Sequence, residues 1–498
     1  MERIYTRNTA FVDENGNERI FHGLNLVFKG DHHKTGTEAF LPSGWDEALV
    51  ARMRDHGFNA VRLGLIWEAV EPQPGVYDEK YLSFFLDFAD LLKKYGIYFY
   101  LDMHQDLFGA MGTPWGGDGA PDWAYLSGGK TPRKPFFVWA EGYFFPGSVT
   151  RGFDAFWRND RAADGVGIRD RFCQMWAHVA SEFKDKENLL GFDVFNEPFP
   201  GSPGSKVFLT VVKNAALQFL FNDRVNRREI VGKILETKDV GAIFDAINDP
   251  QVYRAVLRGT QKAIRRFDLA YYYPFLRMVG AAIRKECGRG IIFAENCYFS
   301  NMGIPCFVPN LKYKTGEFEN DFAFAPHGYE LTVDTPLMES APVDRVKFVF
   351  DEHVRTQARL GVPVLVGEWG GFNGDTPGSR RHLSYLLDTF DSHRWSNTFW
   401  CYHKQMEDAG VLALLRRPYP HSVPGTIENF KWDAEKREFR LTYFCDQAAE
   451  DPARIYLPSM PSMMECETEY EIIPHGNACM LEVSPRWGEN RITVRWDA

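Results

Sequence analysis

Short apolar runs along this chain alternate with longer stretches in which apolar residues recur every three or four positions. The runs at 20–26, 60–65, 97–102, 190–195, 291–294, 322–326, 362–366 and 398–402 read as strands. Between many of them lie amphipathic patterns, at 45–55, 81–95, 153–183, 343–360 and 379–390, that predict helices. Strands that alternate with helices predict parallel β/α units, and eight of them predict an α/β fold closed as a (β/α)8 TIM barrel. After residue 402 the grammar changes. Pro420, Pro424 and Gly425 punctuate the chain, and short alternating runs at 439–443, 479–483 and 491–496 predict a β-sandwich. The expected division is a catalytic barrel over 1–405 and a C-terminal β-sandwich domain over 415–498. The sandwich carries no carboxylate motif or ligand spacing, which fits a structural appendage.

Two segments exceed what a barrel requires. Residues 107–150 contain Phe108, Trp115, Trp123, Tyr125, Phe136, Phe137, Trp139, Tyr143, Phe144 and Phe145. Such a loop either lines a pocket or packs on itself. Residues 204–268 are charged and helical in pattern, and predict an inserted lid whose apolar side is Val231, Ile234, Leu235, Ile243, Phe244, Ile247 and Leu257. The alternative is an inert peripheral subdomain.

At 498 residues, 45% hydrophobic and 25% charged, the chain has ample sequence for two folded domains. A formal charge of −10 with no basic block argues against a nucleic-acid partner. The amino terminus lacks a secretory signal's apolar run, so a cytoplasmic location is expected, with secretion the alternative if a leader has been trimmed from the sequence. No apolar segment reaches the ~20 residues of a membrane span. Eight cysteines without a Cys-x-x-Cys pair predict free thiols and no structural metal. No cofactor is called for, and the oligomeric state is open.

Two glutamates sit just past predicted strands: Glu197 in Gly191-Phe-Asp-Val-Phe-Asn-Glu-Pro198, and Glu368 in Val362-Pro-Val-Leu-Val-Gly-Glu-Trp369. A barrel of this kind builds its site at the carboxyl ends of its strands, so both would face one cleft. Glycoside hydrolysis needs one protonated carboxyl for the leaving oxygen and one carboxylate to attack or to activate water. The alternative is a pair of surface acids after core strands. Arg62, His104, Asn196, His327, Tyr329 and Trp400 stand at other strand ends, and Arg62 and Tyr329 are suited to keeping a nucleophilic carboxylate ionised. A single histidine there is usually structural; the ordered set carries the reading. Glu295 also ends a predicted strand and is the main rival acid. Gly116-Gly-Asp-Gly119 lacks the strand-to-helix context of a phosphate loop, and His32-His33 has no partner at metal spacing.

Arg62, His104, Asn196-Glu197, His327-x-Tyr329, Glu368 and Trp400 together resemble the functional residues of glycoside hydrolase family 5, a clan A family of retaining β-glycosidases, over about the first 400 residues. The resemblance implies Glu197 as acid/base and Glu368 as nucleophile, with His104, Asn196, His327 and Tyr329 as substrate contacts. It leaves Glu295 as support or a substrate contact. Gly23-Leu-Asn-Leu-Val-Phe-Lys29, Asp102-Met-His-Gln-Asp106 and Arg417-Pro-Tyr-Pro-His-Ser-Val-Pro-Gly425 are similar to the endoglycoceramidase-related branch, whose members have a barrel followed by a β-sandwich and cleave a sugar from ceramide. That branch implies sugar contacts by Lys29, Asp106 and Trp400, and a glycolipid substrate with transient contact to a lipid surface. The helical excess is closer to relatives acting on simple glucosylceramides or steryl glucosides. A general β-glucosidase or endo-β-glucanase with the same site, and a carbohydrate-binding barrel without catalysis, are the alternatives. An apolar groove between 107–150 and 204–268, leading outward from Glu197, is expected for the aglycone.

Overall fold

All eight expected barrel strands form: β1 His22–Leu26, β2 Ala60–Ile66, β3 Tyr98–His104, β4 Leu189–Asp193, β5 Ile291–Ala294, β6 Phe322–Phe324, β7 Leu365–Val366 and β8 Ser396–Phe399. The structure is a computed structural model and describes residues 1–497 except His32, 110–116, 131–133, 136–138, 239, 334 and 447–450. The strands pair in parallel in the order β7-β8-β1-β2-β3-β4-β5-β6. Phe324 N–H donates to Pro363 O at 3.0 Å, and a bridge from Phe324 to Val364 brings the outer strands together.

Side chains alternate along a strand, so every second residue faces the barrel axis. Phe21, Ala60, Tyr98, Tyr100, Ile291, Phe293, Ala323, Ala325 and Leu365 fill the lower interior as one apolar cluster. Two residues further along, the same inward face carries Arg62, Asp102, Glu295 and His327. The strands thus place an apolar plug below and polar groups above, at their carboxyl ends.

Outside the barrel run α1 Glu47–Asp55, α2 Glu79–Lys94, α3 Ser148–Arg158 and α4 Ile168–Phe183. Asp46 and Asp78 cap α1 and α2, accepting from Leu49 N and Tyr81 N at 3.0 Å each. The single helix expected over 153–183 is two helices. Asn159 turns left-handed at φ 62° and ends α3, and its Oδ1 accepts the N–H groups of Arg169 and Asp170 in the first turn of α4. Apolar periodicity runs through this break because both helices pack on the same core.

The insertion is helical as expected: α5 Ser202–Phe221, α6 Arg227–Thr237, α7 Pro250–Val256 and α8 Gln261–Phe267, leading into α9 Tyr273–Glu286. It is tied to the barrel by Tyr253, which donates to Met302 O at 2.8 Å. Arg345, on α10 Val343–Leu360, holds it from the other side by donating to Phe244 O and Asn248 Oδ1. Its expected apolar side is only partly covered. Ile247 and Leu257 are buried, whereas Val231, Leu235, Ile243 and Phe244 face solvent. The last long helix of the barrel, α11, spans Pro377–His393.

The C-terminal sandwich packs a four-stranded sheet, Thr426–Asp433, Glu438–Cys445, Gly488–Arg495 and Met463–Glu465, on a seven-stranded one. Three strands of the larger sheet come from the other end of the chain: Ile4–Arg7, Ala10–Asp13 and Glu18–Arg19. Glu18 pairs with Val423, while Ile4 and Phe11 cover the floor of the barrel beneath Phe21 and Phe293. The eight cysteines are free thiols. Among the described residues no helix is long and apolar enough to cross a membrane.

Candidate active site

Arg62, on β2, has no exposed surface and is the hub of the barrel mouth. Its Nε donates to Asp193 at 2.9 Å. Nη1 donates to Glu368 Oε1 at 2.6 Å and Asn25 Oδ1 at 3.1 Å. Nη2 donates to Asn196 Oδ1 at 2.9 Å and Glu295 Oε1 at 2.7 Å, and lies 2.9 Å from Asp102. One planar fork thus fixes six groups from five other strands or strand ends, a task for which a lysine lacks the geometry.

Glu197 and Glu368 meet above this hub, with His327 between them; one side-chain oxygen of each and one ring nitrogen lie within 4.8 Å of one another. His327 Nδ1 is 3.1 Å from Glu197 Oε1 and 3.5 Å from Glu368 Oε2. Tyr329 OH donates to Glu368 Oε2 at 2.8 Å, and Asn301 Nδ2 donates to Glu197 Oε1 at 2.5 Å. The backbone of Glu197 is left-handed, φ 44°, and its N–H donates to Glu295 Oε2 at 2.6 Å. Gly367 admits this packing, since a Cβ there would lie 2.8 Å from His327 Nε2.

Five buried carboxyl groups face two cations. Burial opposes charge on His104, yet Asp102, 2.8 Å from its Nδ1, lifts the imidazole to about 10. The surplus acids hold protons. Burial, reinforced by the charge of Glu368, raises Glu197 well above the carboxylate range. Burial likewise raises Glu295 well above it and Asp193 to about 7. Burial raises Glu368 too, but Arg62 and the Tyr329 hydroxyl act against the rise. His327 is kept neutral by burial and by the nearby Arg62 charge. The pair is therefore unequal, with one acid held protonated and one supplied with donors for its ionised form.

A second polar group adjoins the first. Lys29 bonds to Asp106, lies 3.9 Å from Asp118, and stands 5.0 Å from the centre of the Trp400 ring. Trp400 stacks on His104 at 5.3 Å, and His104 Nε2 is 3.6 Å from Asp106. Although burial opposes it, the Lys29 charge draws Asp106 down to about 2. Burial pushes Asp118 up to about 7. This gives a half-open aromatic face flanked by donors and acceptors, the furniture of a sugar subsite. Three His/carboxylate groups in this region have the spacing of a metal site, but each is built around Arg62 or Lys29, whose fixed charge would repel a divalent ion.

Every expected site residue is drawn into this region: Lys29, Arg62, His104, Asp106, Asn196, Glu197, Glu295, His327, Tyr329, Glu368 and Trp400. Glu295 is 1% exposed with both oxygens committed to Arg62 and the Glu197 main chain, so it supports the acids and does not contact substrate. Asn25, Asp102, Asp118, Asp193 and Asn301 were not anticipated. For Asp102 and Asp193 a signal existed, a charged residue inside an otherwise apolar strand. Beyond Glu197 the described part of the aromatic loop forms a wall: Tyr143 packs on Tyr298 at 4.6 Å, and Phe144 stacks on Phe208 of α5 at 4.4 Å. Phe108 and Tyr143 are buried in the core, so much of this loop packs on itself. Trp115, Phe136 and Phe137 lie outside the described residues, as do His32 and Gly116.

Comparison with known proteins supplies the family. The model named cellulase (glycosyl hydrolase family 5) matches residues 12–226 and 268–406, passing over most of the insertion, and the family's C-terminal domain model matches 417–495. Endoglycoceramidase I of Rhodococcus hoagii is 33% identical over 468 residues, spanning 91% of this chain and 79% of its own. Endo-glycoceramidase II from a Rhodococcus species, solved with ganglioside GM3, superposes with a TM-score of 0.74 at 22% identity, over 99% of this chain and all of that one. Sterylglucosidase 1 of Cryptococcus neoformans superposes at 0.70 and 16% identity, over 100% and 97%. The chain belongs to glycoside hydrolase family 5 and is a retaining β-glycosidase.

Proposed function

We propose that the enzyme cleaves the β-bond between a sugar and a lipid aglycone, a glycosphingolipid such as glucosylceramide, with Glu368 as nucleophile and Glu197 as acid/base. The observation that carries this assignment is the unequal pair of carboxyl groups with oxygens within 4.8 Å. Oxygens that near one another suit direct attack in a double displacement better than the ~6.5–9.5 Å carboxyl separation that an inverting enzyme leaves for water. Asn301 donates to Glu197 Oε1, so the acid's proton belongs on Oε2. In the first step Glu368 attacks the anomeric carbon while Glu197 passes its proton to the glycosidic oxygen, and the lipid alcohol leaves. In the second, ionised Glu197 takes a proton from water, which displaces Glu368. Arg62 and Tyr329 hold the nucleophile in place throughout, and Lys29, Asp106 and Trp400 present the sugar.

The lipid reading is supported by the relative named endoglycoceramidase, whose likeness extends along most of the chain. The aromatic cluster of Tyr143, Tyr298, Phe144 and Phe208, which joins the aromatic loop to the insertion near the strand-four end that carries Glu197, is in keeping with it. A steryl glucoside is the second reading, supported by the relative named ergosteryl-beta-glucosidase of Saccharomyces cerevisiae, 29% identical over 149 residues. Product analysis on glucosylceramide, galactosylceramide, lactosylceramide and steryl glucoside in detergent decides between them. Release of intact glycan and free ceramide is expected. Hydrolysis of steryl glucoside alone would establish the second reading, and degradation of β-glucan with no action on any lipid would overturn both.

A further inference from the structure

Helix α5 carries an apolar stripe that none of the described residues covers. Leu209, Val212, Leu217, Leu220 and Phe221 fall at helical spacing on one face, with Leu209 57%, Leu220 55% and Phe221 74% exposed. The opposite face of the helix is occupied, since Val207 is buried and Phe208 stacks on Phe144 of the aromatic loop. The next helix, α6, continues the exposed surface with Val231 and Leu235 one turn apart. A patch of this kind on a folded enzyme marks a surface made to meet something.

Charge says what. Residues 202–268 hold twelve Lys and Arg against seven Asp and Glu, a balance of +5 within a chain of −10. Lys206, Lys213, Arg224 and Arg228 are exposed along and just beyond the stripe. At its carboxyl end an open hollow is lined by Arg224, Arg254 and Arg258 with Gln218, Asn222 and Gln251. Arg224 is held by Asp249 at 3.2 Å, which fixes one wall of the hollow. Apolar residues flanked by basic ones, on a helix that cannot cross a bilayer, form the pattern of a helix lying in a membrane interface.

We propose that α5 and the start of α6 dock on an anionic lipid bilayer, with Leu217, Leu220 and Phe221 entering the interface and the arginine-lined hollow receiving an acidic headgroup. The docking face is the back of the helix whose front forms the aromatic wall beside Glu197, so a bound enzyme holds its cleft next to the surface where a glycolipid resides. The purpose of the docking rests on the glycolipid reading above; the docking itself is measured without turnover.

The test is sedimentation with phosphatidylcholine vesicles, with and without phosphatidylserine, for the full chain and for Phe221→Glu, Leu220→Glu and Arg258→Gln. The parent should pellet with serine-containing vesicles and be released by salt. Each stripe variant should weaken binding by roughly tenfold, the loss of one buried apolar side chain. Arg258→Gln should reduce the preference for phosphatidylserine. All three should keep parental turnover of a soluble aryl β-glycoside, which establishes that they fold. Parental binding by the stripe variants would overturn the proposal. So would a dimer in sedimentation equilibrium that Phe221→Glu dissociates, because the stripe would then belong to a second copy. Inorganic phosphate that matches phosphatidylserine as a ligand without any vesicle binding would reduce the hollow to a free-anion site and also refute docking. If detergent-solubilised glycolipid is not hydrolysed, the substrate reading fails while the sedimentation result stands.

Discussion

Glu368 receives a charge-assisted hydrogen bond from Arg62, Nη1 to Oε1 at 2.6 Å, where the arginine is shut away from solvent. The same guanidinium also reaches Asp102, Asp193 and Glu295, at 2.7–2.9 Å. In Arg62→Lys a compact ammonium can reach one or two of these groups and leaves the rest without their buried hydrogen-bond donor. Stability should fall by about 3–5 kcal/mol, the cost of breaking a buried ionic cluster, together with activity. Chemical denaturation measures the first; an unfolding midpoint equal to the parent's would refute the hub.

Removing the nucleophile should leave the fold. Glu368→Gln keeps the shape and both donors' positions but cannot form the glycosyl-enzyme, so turnover should drop by ~10³-fold or more while circular dichroism is unchanged. Near-normal turnover would reject Glu368. For the parent, proton NMR of the first product should show a β-anomer from a β-glycoside.

The pH profile follows from the unequal pair. Activity requires Glu368 ionised and Glu197 protonated, so kcat/KM should be bell-shaped. The acid limb falls as Glu368 takes up a proton. The alkaline limb falls as pH rises through the raised value of Glu197. Glu197→Gln should slow natural substrates by ~10²–10⁴-fold, the usual worth of a general acid, and should abolish the alkaline limb. A variant that kept that limb would assign it to another group.

Asp193 gives a stability test. Its value in the fold is about 7 against 3.8 for the free side chain, a rise caused by burial. A carboxyl raised on folding contributes no penalty below its unfolded value, and stability is lost as pH climbs from 3.8 towards about 7. Asp193→Asn should therefore flatten the decline in Tm across that window. An unchanged slope would show that the proton resides elsewhere in the cluster.

Much of this was legible in the sequence because barrel geometry converts strand ends into site positions. Arg62, His104, Glu197, His327, Glu368 and Trp400 could be placed in one mouth from the eight apolar runs alone. The same parity pointed to Asp102 and Asp193, two residues below His104 and just inside β4, yet an acid within a strand reads as an interruption until its counter-charge is known. Asn301 and Asp118 lie on connecting segments with no periodicity, so only the fold brings them to Glu197 and Lys29. The break at Asn159 was invisible for a different reason. Both helices bury faces in register with one core, and a single left-handed residue leaves no trace in the apolar pattern. The exposed stripe of α5 was hidden similarly, since composition marks a face as apolar without saying whether anything covers it.

Ile427 N–H bonds to Glu18 Oε2 across a separation of 409 residues, and that contact sets an order of events during synthesis. The first strands emerge from the ribosome long before their partners at 419–423 exist, with Ile4 and Phe11 lacking the sheet that will hold them against the barrel floor. The barrel can assemble around its own β/α units, whose contacts are local, but its floor is sealed only after the last part of the chain arrives. Sealing of the floor thus has to wait for residues 419–427, and a ribosome stalled before them would carry a barrel without the sheet that holds Ile4 and Phe11 against the end opposite its active site.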